Sequence, residues 1–210
     1  GTMGYWNPGG VNRADAVLDD GSRIENNPHA TAKYLLDEFK LDYAILNPGA
    51  SLHYGLSPEI DYAAAMISAT NDIMVEDWLT ADPRYRLSAV VYPHVAEIAV
   101  REIERLGAHP GVVQVIMPSG SPTPYGHRSF HPIYEAAVKY DLPVAIHPGT
   151  EGVGISGKPT GVGYPSSYLE WHTDLVGSYL GHLVSLVTEG VFAKFPTLKF
   201  VMLEGGVSWL

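Results

Sequence analysis

Short apolar segments alternate with helical segments along most of this chain, and this alternation limits the folds it can adopt. Five segments have the composition of strands, and each ends in a turn containing Pro or Gly: DYAILNPG, LSAVVYP, GVVQVIMPSG, LPVAIHPG and LKFVMLEGG. They are rich in Val, Ile and Leu without clean polar alternation, which is typical of strands buried on both faces of a parallel sheet. The pattern therefore predicts an α/β fold.

Helical segments precede the first strand and separate the others. We predict them from Asn27 to about Phe39, from Ser57 to Pro83, over 95–109 and 131–141, and from Tyr168 to Phe195, with a Gly-rich loop over 151–163. Apolar residues recur in them at helical spacing, and Asn27-Pro28 has the form of an N-cap followed by proline at the first helical position. The first 26 residues lack either period, so we predict a loop-like arm over 1–26 and one domain over 27–210.

Two architectures fit strands that alternate with helices, namely a doubly wound sheet and a barrel. A nucleotide-binding doubly wound sheet would carry a G-x-G-x-x-G turn after its first strand, but the chain has NPGASLHYG there, and no G-x-x-x-x-G-K-[ST] occurs. Polar residues at successive carboxyl ends of strands are typical of the active face of a (β/α)₈ TIM barrel. We therefore predict the TIM-barrel type.

Charge and cysteine content exclude several classes of partner and site. The 210 residues include 13 Lys and Arg against 23 Asp and Glu, a formal net charge of −10, which argues against nucleic acid and anionic membranes as partners. No cysteine is present, so disulfides, thiolate zinc sites and a catalytic Cys are excluded. Any bound metal must take His, Asp, Glu or water as ligands. Without an apolar span or a secretory signal in the sequence, we expect a cytoplasmic protein.

Two strand ends carry the side chains best suited to chemistry. His147 ends the strand LPVAIHPG, and Glu204 follows the apolar run FVML and precedes two glycines. An imidazole and a carboxylate at one barrel mouth are the ligand types that a divalent ion takes. The structural alternatives stay open, since His147 could be a hydrogen-bonded core histidine and Glu204 could bind the amides of the Gly-Gly turn.

Other histidines and aromatic residues form a second group of candidates. His172, after the fourth strand, could line the same mouth, and His53 and His94 follow the first and second strands and could reach it. The aromatic residues Tyr125, Tyr164, Tyr168 and Trp171 suggest a site for a small carboxylate, although such residues are as often packing. We interpret His182 as a packing residue, His131 as a helix cap, and His29 and His109 as surface or cap residues.

The second half of the chain resembles the amidohydrolase-related metal-dependent hydrolases. The segments GHRSFHPIYEAAVKYDLPVAIHPG and GHLVSLVTEGVFAKFPTLKFVMLEGGVSWL carry the resemblance, and EIERLGAHPGVVQVIMPS fits the segment before them. More narrowly, the elements strand-His-Pro-Gly, GVF-x-KFP-x-LK and EGGVSWL are similar to the branch typified by aminocarboxymuconate-semialdehyde decarboxylase. The similarity covers roughly residues 27–210.

The resemblance implies a distorted (β/α)₈ barrel that holds one divalent ion, most often Zn and alternatively Mn. The ion activates water for hydrolysis or positions a carboxylate substrate for non-oxidative decarboxylation. Its ligands in the family are an HxH on the first strand, a histidine on the fifth and an aspartate on the eighth. His147 matches the fifth-strand histidine, and Glu204 falls where members carry a sixth-strand histidine or this glutamate. The chain then corresponds to strands two to six.

This alignment leaves three of the usual four ligands without a counterpart, because no HxH occurs and the eighth-strand position falls beyond Leu210. The chain is then either a fragment of a longer enzyme or a natural remnant completed by a partner or a second copy. Whether it binds the metal by itself stays open. Two open strand edges would favour association, so we expect a homo-oligomer.

Three hypotheses about function follow. The first is a metal-dependent hydrolase or decarboxylase of a small, aromatic-derived carboxylate. In it His147 is a metal ligand, Glu204 and His172 act in catalysis, and Tyr168, Trp171 and His53 bind the substrate. The second is a metal-free, catalytically incomplete module for interaction or oligomerisation. The third is a metal-independent acid–base enzyme, which would need His147 and Glu204 at one mouth and tuned for proton transfer.

Overall fold

Five strands form one sheet in which every neighbouring pair is parallel. The computed structural model describes residues 17–19 and 21–206, with strands β1 Ala44–Leu46, β2 Tyr85–Val90, β3 Val112–Pro118, β4 Val144–His147 and β5 Phe200–Met202. Their order across the sheet is their order along the chain. A doubly wound sheet reverses its strand order at a switch point, whereas a barrel continues in one direction. The predicted α/β fold of TIM-barrel type is confirmed, as five consecutive strands of an incomplete barrel.

Helices occupy most of the connections between the strands. They are α1 Pro28–Thr31, α2 Ile60–Ile73, α3 Leu79–Ala81, α4 Ala96–Leu106, α5 His131–Lys139, α6 Tyr168–Thr188 and α7 Val191–Lys194. A π-helical turn over Ala32–Asp37 continues α1, and another over Met74–Trp78 joins α2 to α3. Short 3₁₀ turns span Ile24–Asn26, Gly49–Leu56, Arg128–Phe130 and Gly154–Ser156. None of the helices within the described ranges is long and apolar enough to cross a membrane.

The start of α1 shows the cap that its sequence predicts. The side chain of Asn27 accepts a hydrogen bond from the backbone N–H of Ala30 at 3.0 Å, and Pro28 follows as the first helical residue. An Asn cap satisfies one of the free N–H groups of a first turn, and proline there gives up no hydrogen bond. The Asn-Pro pair therefore sets the first residue of the helix.

The central strands are buried on both faces, which explains why their sequence lacks polar alternation. Leu87 and Ala89 of β2 belong to one hydrophobic cluster, together with residues of α4 and α5. The intervening Val90 belongs to a second cluster, which includes Ile67 of α2. Full burial of an aliphatic side chain stabilises the folded state by about 1.5–3 kcal/mol. Apolar residues on both sides of the central strands therefore stabilise the fold.

The two outer strands are less covered than the central ones. In the described part of the chain β1 pairs with β2 and β5 pairs with β4. Tyr43, just before β1, is 62% exposed, and Ile45, within β1, is 51% exposed. Open strand edges with apolar side chains tend to pair with further chain segments. The expected homo-oligomer stays a prediction.

The prediction of one continuous helix from Tyr168 to Phe195 is wrong. α6 ends at Thr188, and Gly190 takes a left-handed conformation with φ 72° before α7 begins at Val191. Glycine adopts this conformation at little cost, and it is a common way of ending a helix. The change in direction turns the chain towards β5.

The predicted N-terminal arm over 1–26 lies mostly outside the described residues. Within the ranges 17–19 and 21–26, Val17 and Arg23 form an isolated antiparallel bridge, and a 3₁₀ turn follows over Ile24–Asn26. The boundary between this arm and the domain over 27–210 stays a prediction.

Candidate functional site

One open cleft at the carboxyl ends of the strands is lined by six of the residues predicted for the site. Its volume is about 470 Å³. The predicted residues that line it are His53, His147, Tyr168, Trp171, His172 and Glu204. They come from the turn after β1, from the ends of β4 and β5 and from the first turns of α6. The carboxyl ends of parallel strands meet at one edge of the sheet, which brings these distant sequence positions together.

His147 is the last residue of β4, and its ring bridges the strand end and the cleft. Its Nδ1 lies 2.7 Å from the carbonyl oxygen of Pro148. Because a carbonyl oxygen can only accept, Nδ1 carries the proton, and Nε2 of the neutral ring keeps its lone pair. Metal-binding histidines commonly donate one ring N–H to a carbonyl while the other nitrogen binds the ion. The tautomer at His147 thus fits a metal ligand.

Glu204 faces His147 from the neighbouring strand end. Its Oε1 lies 4.0 Å from Nε2 of His147, and its side chain is 64% exposed. That separation is too long for a direct hydrogen bond. Glu204 also has φ 58°, a left-handed conformation that side chains other than Gly, Asn and Asp seldom adopt. Such backbone conformations cluster at functional sites. Nε2 of His147 and Oε1 of Glu204 are close enough together for one bound group to contact both.

Aromatic rings from the first turns of α6 form one wall of the cleft. The ring centroids of Tyr168 and Trp171 lie 5.6 Å apart, and those of Tyr168 and His172 lie 5.3 Å apart. The hydroxyl of Ser167 accepts a hydrogen bond from the N–H of Glu170 at 3.2 Å and so caps the helix that carries them. Trp171 is 3% exposed, whereas His172 is exposed at the rim. The wall offers apolar faces to a planar ligand.

Two enclosed polar atoms of the cleft have no hydrogen-bond partner among the described residues. They are Nε1 of Trp171 and Nε2 of His53. Nδ1 of His53 lies 3.2 Å from the carbonyl oxygen of Ala50, which leaves Nε2 directed elsewhere. An enclosed polar atom without a partner costs about 1–3 kcal/mol. A bound ligand that supplies the missing hydrogen bonds would explain why both atoms lack a partner.

A buried carboxylate beside the cleft was missed in the sequence. Glu151, in the loop after β4, is 6% exposed and accepts hydrogen bonds from the Ser119 hydroxyl and from the N–H of Gly149, the latter at 2.9 Å. The N–H of Ser119 also donates to the carbonyl of His147 at 2.9 Å. The turn after β3 thereby holds the turn after β4. One signal was available, because Glu151 is the sole acidic residue in the loop 148–163.

The same two turns make a close backbone contact at Gly120. Its N–H donates to Oγ1 of Thr150 at 2.9 Å. A Cβ atom at Gly120 would lie 2.5 Å from the carbonyl oxygen of Thr150, a distance that real Cβ atoms do not show. Glycine is therefore required here for the two turns to approach, and this approach fixes the strand end that bears His147.

His182 is a packing residue, as the sequence predicts. Its Nδ1 accepts from the N–H of Tyr125 at 3.1 Å and its Nε2 donates to the carbonyl of Ser119 at 2.7 Å. The ring stacks on Tyr125 with centroids 4.6 Å apart. Burial lowers the pKa of His182, in keeping with a neutral ring that uses both nitrogens.

Other candidates lie away from the cleft. His94 packs against Tyr92 and Phe130, and burial lowers its pKa to about 4. His131 does not cap α5 as predicted, because it is the first helical residue and its Nδ1 accepts from Nζ of Lys194 at 3.0 Å. Nδ1 of His109 accepts from the N–H of Gly111 at 3.1 Å, a local turn contact. His29 is exposed.

Two of the four suggested aromatic residues do not line the cleft. Tyr125 is fully buried and donates to the carbonyl of Pro118 at 2.6 Å, so it is a core residue. Tyr164 is 65% exposed on the loop before α6. The chain after β3 folds back under α6, and this long-range packing was not visible in the sequence.

Within residues 17–19 and 21–206, no group of three or more His, Asp and Glu side chains is arranged to hold a metal ion. His147 and Glu204 are a pair, whereas catalytic metal sites commonly have three protein ligands. In the described part of the chain they are therefore a partial set.

A family model described as amidohydrolase matches residues 35–210. The chain belongs to the amidohydrolase family. No curated protein matches it.

Solved structures share the fold of this amidohydrolase. A manganese complex of 5-carboxyvanillate decarboxylase from Novosphingobium aromaticivorans is 25% identical, with a TM-score of 0.63 over 90% of this chain and 50% of that one. 2,6-Dihydroxybenzoate decarboxylase from Rhizobium is 19% identical, with a TM-score of 0.66 over 82% and 54%. An amidohydrolase from Mycobacterium avium is 22% identical, with a TM-score of 0.67 over 97% and 55%. The chain spans about half the length of these structures.

Proposed function

We propose that this amidohydrolase chain forms part of a metal-dependent enzyme that decarboxylates or hydrolyses a small, aromatic-derived carboxylate. The observation that carries the proposal is that His147 and Glu204 line the same cleft as the aromatic wall. Non-oxidative decarboxylation is the favoured reaction, because two of the structures that share the fold are decarboxylases of aromatic acids by name.

In this proposal His147 is the metal ligand through Nε2. Its fit rests on the hydrogen bond from Nδ1 to Pro148, which leaves Nε2 free to bind. A divalent ion there would polarise a substrate carboxylate or activate water. Imidazole nitrogen and carboxylate oxygen suit both Zn and Mn. The resemblance favours Zn, whereas a related structure holds manganese, so both ions belong in the test. Further ligands would complete the site from elsewhere in the assembled enzyme.

Glu204 and His172 would transfer protons beside the metal-binding His147. Oε1 of Glu204 lies 4.0 Å from Nε2 of His147, close enough to give a proton to a group bound there or to take one from it. His172 is exposed at the rim of the same cleft, where it can exchange protons with solvent. In this proposal Glu204 would transfer the proton at the reacting carbon, and His172 would act at the mouth.

Tyr168, Trp171 and His53 would bind the substrate. The Tyr168 and Trp171 rings can stack on a planar aromatic acid. The enclosed Nε1–H of Trp171 is a donor without a partner among the described residues, and a substrate oxygen would satisfy it. Nε2 of His53 is enclosed in the same cleft and would meet a polar group of the substrate.

The metal-free interaction module is the less favoured hypothesis, since the structures that share the fold include enzymes with bound manganese. We retain a cytoplasmic location and a homo-oligomer as proposals. The net charge of −10 still disfavours nucleic acid and anionic membranes as partners.

Calorimetric titration of the Mn²⁺-supplemented chain with 2,6-dihydroxybenzoate tests the substrate class. Resorcinol, which lacks the carboxylate, is the matched control ligand. We expect binding of the acid that depends on Mn²⁺ or Zn²⁺, and binding of resorcinol weaker by about tenfold, because a bound cation attracts the carboxylate. Equal binding of the two ligands, or of the acid with and without metal, would contradict the proposal.

A further inference from the structure

The carboxylate of Glu151 and the ring of His147 contact the two ends of one peptide group. Oε2 of Glu151 accepts from the N–H of Gly149 at 2.9 Å. The carbonyl of the same Pro148–Gly149 peptide accepts from Nδ1 of His147 at 2.7 Å. We propose that Glu151 is a positioning residue, which fixes the tautomer and orientation of His147 through this peptide. The proposal rests on the proposed role of His147 as a ligand.

A charged acceptor on a peptide N–H strengthens the hydrogen bond at the carbonyl of that peptide. Hydrogen bonds to ionised groups are roughly twice as strong as neutral ones, and bonds in a chain polarise one another. The negative charge of Glu151 thus raises the electron density on the Pro148 oxygen. That oxygen then holds the proton on Nδ1 of His147 and keeps the lone pair on Nε2.

The surroundings of Glu151 hold its carboxylate in place for this role. Its hydrogen-bond partners in the described part of the chain are the hydroxyls of Ser119 and Ser178 and the N–H of Gly149. The Ser178 hydroxyl lies 3.0 Å from Oε1 and 2.9 Å from the carbonyl of Leu175, so its one proton is shared between them. Ser119, whose own carbonyl is held by His182, is the steadier donor.

The backbone of the turn is built to present the peptide to both groups. Gly149 has φ 102°, a conformation open to glycine and costly for other residues. The carbonyl of His147 is itself held by the N–H of Ser119 at 2.9 Å. The strand end, the peptide and the carboxylate therefore form one hydrogen-bonded unit, and a change at Glu151 is transmitted to His147 without contact between the two side chains.

The test is the tautomer of His147, read from its imidazole ¹⁵N chemical shifts in the metal-free chain. We expect predominantly the Nδ1–H form in the wild type and a substantial shift to the Nε2–H form in Glu151→Gln. Asp174→Asn, which removes an exposed carboxylate near Ser178, is the control and should leave the tautomer unchanged. A folded Glu151→Gln protein with the wild-type tautomer would overturn the proposal.

Mn²⁺ affinity gives a second readout, with an expected loss of about tenfold in Glu151→Gln, as for other outer partners of metal ligands. If Glu151→Gln does not fold, Ser119→Ala decides: a partial shift to Nε2–H supports the proposal and no shift overturns it. A wild type that binds no Mn²⁺ would remove the proposed function, whereas the metal-free tautomer measurement would still decide the role of Glu151.

Discussion

His147 and Glu204 stand at the ends of neighbouring parallel strands with Nε2 and Oε1 4.0 Å apart. His147 ends β4, and Glu204 follows β5 in a left-handed backbone conformation; both side chains line the same cleft. An imidazole nitrogen and a carboxylate oxygen thus lie at the mouth where barrel enzymes carry out their chemistry.

Trp171→Phe should weaken carboxylate binding and leave the fold intact. Phe keeps an aromatic ring in the wall but lacks the Nε1–H, which has no partner among the described residues. We expect the affinity for 2,6-dihydroxybenzoate in the presence of Mn²⁺ to fall about tenfold, the size of one lost hydrogen bond in a binding site. Trp78→Phe, outside the cleft, is the control. Equal affinities in both variants would exclude Trp171 as a donor to the substrate.

Gly120→Ala should push apart the turn after β3 and the turn after β4. The new Cβ would lie 2.5 Å from the carbonyl oxygen of Thr150, and a backbone atom cannot yield as a flexible side chain can. We expect a loss of about 1–3 kcal/mol in the free energy of unfolding, measured by urea denaturation. Gly161→Ala is the matched control, because a Cβ there meets nothing within 4 Å. Equal stability of the two variants would show that the turns are not in close contact.

His94 should make the protein less stable as the pH falls from 7 to 5. Burial lowers its pKa in the folded state to about 4 from an ordinary 6.5, so between these values the unfolded chain binds a proton that the folded chain does not. Stability from this group is therefore present above pH 6.5 and is lost as the pH falls towards 4. The loss from pH 7 to pH 5 is about 2 kcal/mol.

His94→Phe removes this titration and keeps aromatic contacts with Tyr92 and Phe130. We expect urea denaturation of the variant at pH 7 and pH 5 to differ by less than in the wild type. His29→Gln, at an exposed site, should retain the wild-type pH dependence. An unchanged difference in His94→Phe would show that His94 titrates normally.

Asn71→Ala should destabilise the sheet near the end of β2. The Asn71 side chain is fully buried, donates to the carbonyl of Val90 at 2.9 Å and accepts from its N–H at 3.0 Å. Its loss leaves both backbone groups buried without a partner, at about 1–3 kcal/mol for each. Thermal unfolding should therefore show a clear loss, whereas Asn26→Ala at an exposed position should not. A melting temperature equal to that of the control would refute this role.

Strand positions and site residues were predictable for one shared reason. Apolar runs closed by Pro or Gly mark buried parallel strands, and parallel strands bring their carboxyl ends together. His147 and Glu204 could therefore be placed at one mouth without coordinates. The hydrogen bonds of Glu151 could not be predicted, because they depend on contact between two turns about 30 residues apart in the sequence. The close approach at Gly120 sets that contact. The break at Gly190 likewise follows from where α6 must end to reach β5.

Mn²⁺ titration followed by electron paramagnetic resonance tests whether His147 binds a divalent ion. Free Mn²⁺ gives a strong signal that falls on binding, so wild type, His147→Ala and the control His29→Ala can be compared in one experiment. We expect saturable binding in the wild type and in His29→Ala, and at least a tenfold loss of affinity in His147→Ala, since a direct ligand should matter no less than its outer partners. Equal Mn²⁺ affinity in all three proteins would show that His147 is not a ligand.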